Sequence, residues 1–326
     1  MILQAKNLRV EFRTRRGTLV AVDDVSFSVA RGEVLGVVGE SGAGKSLTGL
    51  AIMGLLEPPG RLAAGEVWLE GQRIDRLPQA ALRAIRGRRI GVVFQDPLGS
   101  LNPLFTIGEQ LEETIRTHLG LAGKELRQRA LALLAEVGIP APQARFHHYP
   151  HQFSGGMRQR VVIALALAAE PILLIADEPT TALDVSMQAQ IIALIKRVAR
   201  ERGAAVMLIT HDMGVIAETA DRVAVMYAGR IVEIGADRDV LHAPQHPYTA
   251  GLMASIPRIA AGAGRSRLAQ IEGAMPRLTA IPRGCAFNPR CPQVFERCRH
   301  ERPDLMEAGA TRAACWLHAA AMKEAA

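Results

Sequence analysis

Aromatic side chains are scarce in this chain. Phe, Trp and Tyr together make up 4% of its 326 residues. The densest basic clusters, residues 13–16 and 86–89, contain no aromatic residue that could stack on a base. The net charge of +7 is therefore weak support for nucleic acid binding, and we expect no nucleic-acid partner.

Long hydrophobic runs are also missing. Residues 1–7 lack the apolar stretch of a secretory signal. The longest apolar run, residues 161–176, is interrupted by Glu170 and Pro171 and is too short to span a bilayer. We expect a soluble, cytoplasmic protein, and if it serves a membrane, it does so through partners.

Apolar segments with strand and helix character alternate along much of the chain, which predicts an α/β fold with a parallel sheet flanked by helices. Residues 47–56 are predicted to be helical, and a helical subdomain is predicted at about residues 97–169. The predicted strands are residues 8–12, 25–29, 34–38, 90–94, 173–176, 206–209 and 223–226. A change of character near Pro257 predicts two domains, residues 1–256 and 257–326.

A glycine-rich stretch between a predicted buried strand and a helix matches the phosphate-loop pattern G-x-x-x-x-G-K-[ST]. Its backbone amides would face the phosphates of a nucleotide, Lys45 would contact the β- and γ-phosphates, and the Ser46 hydroxyl would ligate Mg²⁺. The ordinary alternative is a turn before a surface helix, but the strand and helix context favours the phosphate loop. The predicted ATP contacts are Gly39, Ser41, Gly42, Ala43, Gly44, Lys45, Ser46 and Leu47.

Two carboxylates, Asp177 and Glu178, follow the apolar strand at residues 173–176. This is the sheet edge where α/β proteins bind ligands. Asp177 is placed to organise Mg²⁺, and Glu178 to polarise the attacking water. A solvated strand end is the alternative, and it becomes less plausible beside a phosphate loop.

Residues 153–160 lie just before that strand and resemble the signature motif of ATP-binding-cassette (ABC) ATPases. In that family the segment Ser154-Gly155-Gly156 would contact the γ-phosphate bound on an opposing subunit. The common form is Leu-Ser-Gly-Gly-Gln, so Phe153 and Met157 depart from it. The resemblance implies an ATP-hydrolysing fold with an antiparallel β subdomain and an inserted helical subdomain.

Further positions resemble the family's motifs in the family's order, over about residues 1–235. Gln95 resembles the glutamine that senses Mg²⁺ and water, and Asp184, in residues 182–184, resembles the D-loop aspartate. His211 resembles the switch histidine that acts with Glu178 in catalysis, and Phe12 the aromatic residue that stacks on adenine. Each alone has an ordinary structural alternative.

The C-terminal region resembles the extension of oligopeptide and dipeptide importer ATPases, in residues 246–249 and 284–292. That resemblance implies a peripheral position on the cytoplasmic face of the inner membrane. It also implies a second ATPase subunit, two permeases that dock near residues 96–103, and an extracytoplasmic substrate-binding protein. Nickel or another small solute is an alternative cargo, and a soluble ABC ATPase acting on DNA or the ribosome is an alternative from another class.

All four cysteines lie in this C-terminal region, spaced C-x5-C-x6-C-x16-C. Four thiolates can hold zinc or a four-iron, four-sulfur cluster, and the spacing lacks the paired C-x2-C of common zinc sites. The family resemblance implies an iron–sulfur cluster in a small cysteine-rich C-terminal domain. Zinc is the alternative metal, and four reduced free thiols are the alternative without a bound metal. The predicted ligands are Cys285, Cys291, Cys298 and Cys315.

Overall fold

The computed structural model describes residues 1–15, 17–97, 99–181, 183–256 and 270–319. The chain divides into two compact units: unit 1 comprises residues 1–4, 28–34 and 67–209, and unit 2 comprises residues 5–27, 35–66 and 210–326. The predicted domain boundary near Pro257 lies outside the described residues, as does Ala182 of the predicted D-loop.

The strands confirm the predicted α/β pattern, because six of the seven predicted strand segments lie inside observed strands and the seventh, residues 90–94, runs one residue past the observed strand Ile90–Val93. The strands are β1 (Leu3–Thr14), β2 (Gly17–Val29), β3 (Val34–Val38), β4 (Gly60–Leu69), β5 (Gln72–Arg73), β6 (Ile90–Val93), β7 (Leu173–Asp177), β8 (Ala205–Ile209), β9 (Arg222–Tyr227), β10 (Arg230–Ala236), β11 (Met306–Ala308) and β12 (Thr311–Ala313).

The helix predicted at residues 47–56 starts and ends earlier, at Lys45–Met53. It ends there because Gly54 adopts a left-handed φ of 65°. The helices are α1 (Lys45–Met53), α2 (Gln79–Ile85), α3 (Ile107–Leu119), α4 (Gly123–Glu136), α5 (Pro142–Arg145), α6 (Gly155–Leu167), α7 (Val185–Arg202), α8 (Met213–Thr219), α9 (Asp237–His242), α10 (Pro247–Ala254) and α11 (Glu296–His300). No helix in the described ranges is both long and apolar enough to cross a bilayer.

Unit 1 contains three parallel strands in the order β6, β7, β8. Between β6 and β7 the chain forms α3 to α6, which confirms the predicted helical insertion. A capping box starts α3, in which Thr106 accepts the backbone N–H of Glu109 and the Glu109 carboxylate accepts the N–H of Thr106. Helix α4 buries the apolar face that its periodicity predicts, through Leu126, Ala130, Leu133 and Leu134.

Unit 2 contains β3, which pairs in parallel with β9. All five residues of β3 are buried, as expected for a strand covered on both faces. Strand β10 pairs antiparallel with β9, and β12 and β11 extend the sheet from β10. The C-terminal segment therefore adds two strands to the sheet of unit 2, which the sequence pattern did not predict. Strand β1 lies between β2 and β4 in a separate sheet.

Candidate functional site

The predicted phosphate loop joins the end of β3 to the start of α1 in unit 2. Its glycines are sterically required at two positions. Gly39 has a φ of 150°, and a Cβ atom there would lie 2.2 Å from the carbonyl oxygen of Met226. Gly44 has a φ of 99°, and its Cβ would lie 3.0 Å from the carbonyl oxygen of Ala21. Only glycine fits these conformations without strain.

Lys45 is buried within this loop, with 5% of its surface exposed. Its Nζ donates to the carbonyl oxygens of Gly39, at 2.7 Å, and of Glu40, at 3.1 Å. Ala43 is buried, whereas Ser41 and Gly42 are exposed and Ser46 and Leu47 are half-buried. The loop thus presents a lysine and a helix N-terminus at one strand end, an arrangement suited to a phosphate group.

His211 and Phe12 also belong to unit 2. The N–H of Thr210 donates to the carbonyl of Val37 at 3.2 Å, so the exposed His211 follows a residue bonded to β3 just before the phosphate loop. Phe12 is half-buried in β1, and its ring packs against Gly60, where a Cβ would lie 2.8 Å from Phe12 Cε1.

The predicted catalytic carboxylates stand at the end of β7 in unit 1. Asp177 is its last residue and is half-buried. Glu178 follows with a left-handed φ of 47°, which is unusual for a residue with a side chain and is typical of functional turns. Its backbone N–H donates to the carbonyl of Ile209 at 2.8 Å, which fixes the turn.

In the structure Gln95 contacts Glu178, a contact that the sequence analysis did not name. Gln95 Nε2 donates to Glu178 Oε2 at 2.9 Å, and the Thr181 hydroxyl donates to the same oxygen at 2.9 Å. The parallel pairing of Val93 with Ala176 explains the contact, because it aligns the carboxyl ends of β6 and β7. Thr181 is a partner that the sequence analysis missed, although it lies only three residues after Glu178.

The predicted signature segment starts α6, in which the Ser154 hydroxyl accepts the N–H of Met157 at 3.4 Å. Gly155 is exposed, with nothing within 4 Å of a built Cβ. Phe153 is 3% exposed and lies edge-on to the ring of His148 at 6.1 Å. The unusual Phe153 therefore serves as a core residue, while Met157 is half-buried.

Asp184 lies beside that segment. It caps α7 by accepting the N–H of Met187 at 2.9 Å. The Met187 side chain in turn fills the space above Gly156, where a Cβ would meet Met187 Cε at 2.2 Å. Met187 thus contacts both predicted motifs, Asp184 through its backbone N–H and Gly156 through its side chain.

The four cysteines line one small cavity in unit 2, together with His246, Phe287 and Trp316. The N–H of Cys285 donates to the carbonyl of Cys298 at 2.9 Å. Burial raises the pKa of the Cys285 and Cys315 thiols to about 11. However, among the described residues no three His, Cys, Asp or Glu side chains are arranged so that they could hold a metal ion. The convergence of the cysteines is observed, and the cluster stays a prediction.

In the C-terminal region, Tyr248 contacts the phosphate loop and His246 supports Tyr248. The sequence analysis had assigned no role to either residue. The hydroxyl of Tyr248 accepts the N–H of Glu40 at 2.9 Å. His246 caps the helix of Tyr248 through Nδ1, and complete burial lowers its pKa to about 3. The buried carboxylate of Glu233 accepts the N–H of His246 at 2.9 Å. The sequence signal that could have pointed to Tyr248 and His246 is the His-Pro-Tyr-Thr segment, residues 246–249, in which both lie.

Two family models match this chain. The model described as ABC transporter matches residues 22–181, and the model described as oligopeptide/dipeptide transporter, C-terminal region, matches residues 232–298.

Relatives match over nearly the whole chain. The dipeptide transport ATP-binding protein DppD of Haemophilus influenzae is 47% identical over 314 residues, covering 96% of this chain and 94% of that protein. The oligopeptide transport ATP-binding protein OppD of Salmonella typhimurium is 46% identical over 303 residues, covering 93% of this chain and 90% of that protein.

A solved cassette structure has the same core. It is the dimeric post-hydrolysis state of the ATP-binding cassette MJ0796 bound to ADP and Pi, with a TM-score of 0.66 and 31% identity over 73% of this chain and 99% of that one. Together with the phosphate loop, the Glu178 turn and the signature helix, these similarities show that the chain belongs to the ATP-hydrolysing, ATP-binding proteins of the ABC transporter family.

Proposed function

We propose that the chain is the motor subunit of an ABC importer for dipeptides or oligopeptides. One observation carries this proposal: the similarity continues beyond the cassette into the C-terminal region, residues 232–298, whose model is described for oligopeptide and dipeptide transporters. The relatives named for dipeptide and oligopeptide transport match across both regions.

In the proposed site, residues of unit 2 bind the nucleotide. Lys45 would leave the carbonyls of Gly39 and Glu40 to contact the β- and γ-phosphates, since ammonium–phosphate bonds are stronger than bonds to neutral carbonyls. Phe12 would stack on adenine through the part of its ring that does not pack against Gly60.

Hydrolysis is assigned to Glu178 and His211. Glu178 would orient and deprotonate the attacking water, while Gln95 and Thr181 hold one of its carboxylate oxygens. His211 would contact the γ-phosphate.

The Ser46 hydroxyl, the Asp177 carboxylate and the Gln95 amide carry oxygen donors of the kind that Mg²⁺ prefers. The half-buried Asp177 at a strand end supports this assignment, and we propose these three as ligands. Bound Mg²⁺ would neutralise charge on the phosphate oxygens.

We propose that the signature segment and Asp184 act on a second ATPase subunit, which is more plausibly a paralogue than an identical copy. The exposure of Ser154, Gly155 and Asp184 supports this assignment. So does Val185, which is 84% exposed beside Asp184 in spite of its apolar side chain.

The permeases are proposed to dock on the segment that follows Gln95, residues 96–103, of which Leu98 lies outside the described residues. Leu104 and Phe105 continue this segment and are 79% and 48% exposed, which supports an apolar docking surface. The subunit would then sit peripherally at the cytoplasmic face of the inner membrane, with a substrate-binding protein on the other side.

We also propose that Cys285, Cys291, Cys298 and Cys315 hold a four-iron, four-sulfur cluster with a structural role. The support is that these thiols, from separate segments, border the same cavity. Thiolate sulfur is the donor set that iron–sulfur clusters require. Anaerobically purified protein should be brown with about four irons per chain. One zinc per chain would favour the alternative metal, and metal-free thiols would contradict both.

The import function is tested by reconstituting the subunit with the two permeases, the second ATPase and the substrate-binding protein of the proposed importer. Dipeptides and oligopeptides should stimulate ATP hydrolysis and accumulate in proteoliposomes, and Glu178→Gln should abolish both. Stimulation by nickel or another small solute instead of peptides would contradict the proposed cargo and leave the motor assignment intact.

A further inference from the structure

Arg290 connects the cysteine-bearing segment to the phosphate loop. It is the last residue of a short 3₁₀ helix, Asn288–Arg290, and directly precedes Cys291. Its side chain is only 7% exposed, and Nη1 lies 3.1 Å from Oε2 of Glu40. Glu40 is the first variable residue of the phosphate loop, and both residues belong to unit 2.

The guanidinium of Arg290 is held in place independently of Glu40. Its Nε donates to the carbonyl of Glu272 at 2.9 Å, and its Nη2 donates to the carbonyl of Ile271 at 3.3 Å. Its central carbon lies 5.8 Å from the ring centroid of Tyr227 and 5.9 Å from that of Phe287. These contacts orient Nη1 towards the loop.

The backbone of Glu40 is fixed by the same region of the chain. The fully buried Tyr248 accepts the Glu40 N–H, and its ring packs edge-on against Tyr227 at 4.7 Å. The C-terminal region therefore holds both the main chain and the side chain of one phosphate-loop residue.

The charge of Glu40 explains why such a contact matters. A carboxylate in a phosphate-binding loop repels the polyphosphate of ATP, and Glu40 is only 29% exposed, so that water screens it incompletely. The Arg290 cation neutralises it at hydrogen-bond distance. Without Arg290, a partly buried negative charge would remain uncompensated beside the phosphates.

We propose that Arg290 is a positioning residue for nucleotide binding: it neutralises Glu40 and holds the phosphate loop ready for ATP. The C-terminal region thereby sets the nucleotide affinity of the cassette. This inference rests on the loop's role in binding ATP and does not depend on the proposed peptide cargo.

A double-mutant cycle tests it, using direct ATP titration of the full chain in the presence of Mg²⁺. Arg290→Gln should weaken ATP binding roughly tenfold, a typical coupling between two sites. Arg290→Lys should retain most of the affinity. Glu40→Gln should bind ATP nearly as the wild type does. Combining Glu40→Gln with Arg290→Gln should restore most of the lost affinity, because the uncompensated carboxylate is then gone.

Arg299→Gln is the matched control, since Arg299 is an exposed arginine of the same C-terminal segment, and it should leave ATP affinity unchanged. A double variant that binds ATP as weakly as Arg290→Gln would overturn the neutralisation of Glu40. Unchanged affinity in Arg290→Gln would overturn the role of Arg290 altogether. Wild-type chain that binds no ATP would instead contradict the nucleotide site itself.

Discussion

Replacing Glu178 by Gln substitutes an NH2 group for one carboxylate oxygen and leaves the shape of the side chain intact. The remaining amide oxygen can still accept the Gln95 amide and the Thr181 hydroxyl, both now 2.9 Å from Glu178 Oε2. The backbone bond to the carbonyl of Ile209 also holds the turn and does not involve the carboxylate. We therefore expect the fold and ATP binding to persist in the variant.

Hydrolysis should nevertheless fall, because an amide cannot accept the proton of the attacking water. Loss of a general base typically costs a factor of about 10²–10⁴ in rate, or roughly 3–5 kcal/mol in the activation barrier. The assay is single-turnover ATP hydrolysis by the assembled transporter, combined with an ATP titration at equilibrium.

Glu170→Gln is the matched control. Glu170 is also a glutamate in unit 1 with a left-handed φ, 55°, and its 62% exposed carboxylate pairs with Arg129 at 2.8 Å. An exposed ion pair of this kind contributes about 0–1 kcal/mol, so this variant should hydrolyse ATP normally. Near-normal hydrolysis by Glu178→Gln, or a comparable loss in both variants, would refute the role of Glu178.

Three further changes have direct outcomes. Lys45→Ala should weaken ATP binding by about tenfold or more in a titration, because a buried charge-assisted phosphate contact worth about 1.5–3 kcal/mol is lost; unchanged affinity would count against the phosphate loop. Gly39→Ala should lower the free energy of unfolding by roughly 3 kcal/mol in urea denaturation, since the new Cβ would clash with the Met226 carbonyl and φ is unfavourable; wild-type stability would contradict the steric requirement. Cys291→Ser should bleach the visible absorption of anaerobically purified protein and lower its iron content, and full retention of iron would exclude Cys291 as a ligand.

Local patterns located the predicted strands and the helical insertion, because such patterns depend on nearby residues. The continuous apolar run of β3 and the alternation in β1 and β2 identify strands through burial on two faces or one. The end of α1 was misplaced because the apolar pattern continues past Gly54, where the backbone turns left-handed.

The sequence also identified the residues that we predict to carry the chemistry. Gly39 to Ser46, Asp177 with Glu178, and Ser154 to Gly156 each combine residue types and spacing that few other functions require. The structure adds the contact between Gln95 and Glu178, since the parallel strands β6 and β7 bring their carboxyl ends to one edge of a sheet.

Only the tertiary structure decided how the C-terminal segment is used. Nothing in the local pattern of residues 306–313 showed that they would join the sheet through β10, or that Arg290 would reach Glu40, 250 residues earlier in the chain. Such contacts depend on the packing of distant segments against one another, and a single sequence does not encode that packing as a periodicity. The core position of Phe153 and the shared cavity of the four cysteines were also decided by the tertiary structure. The sequence drew attention to these residues, and folding determined their neighbours.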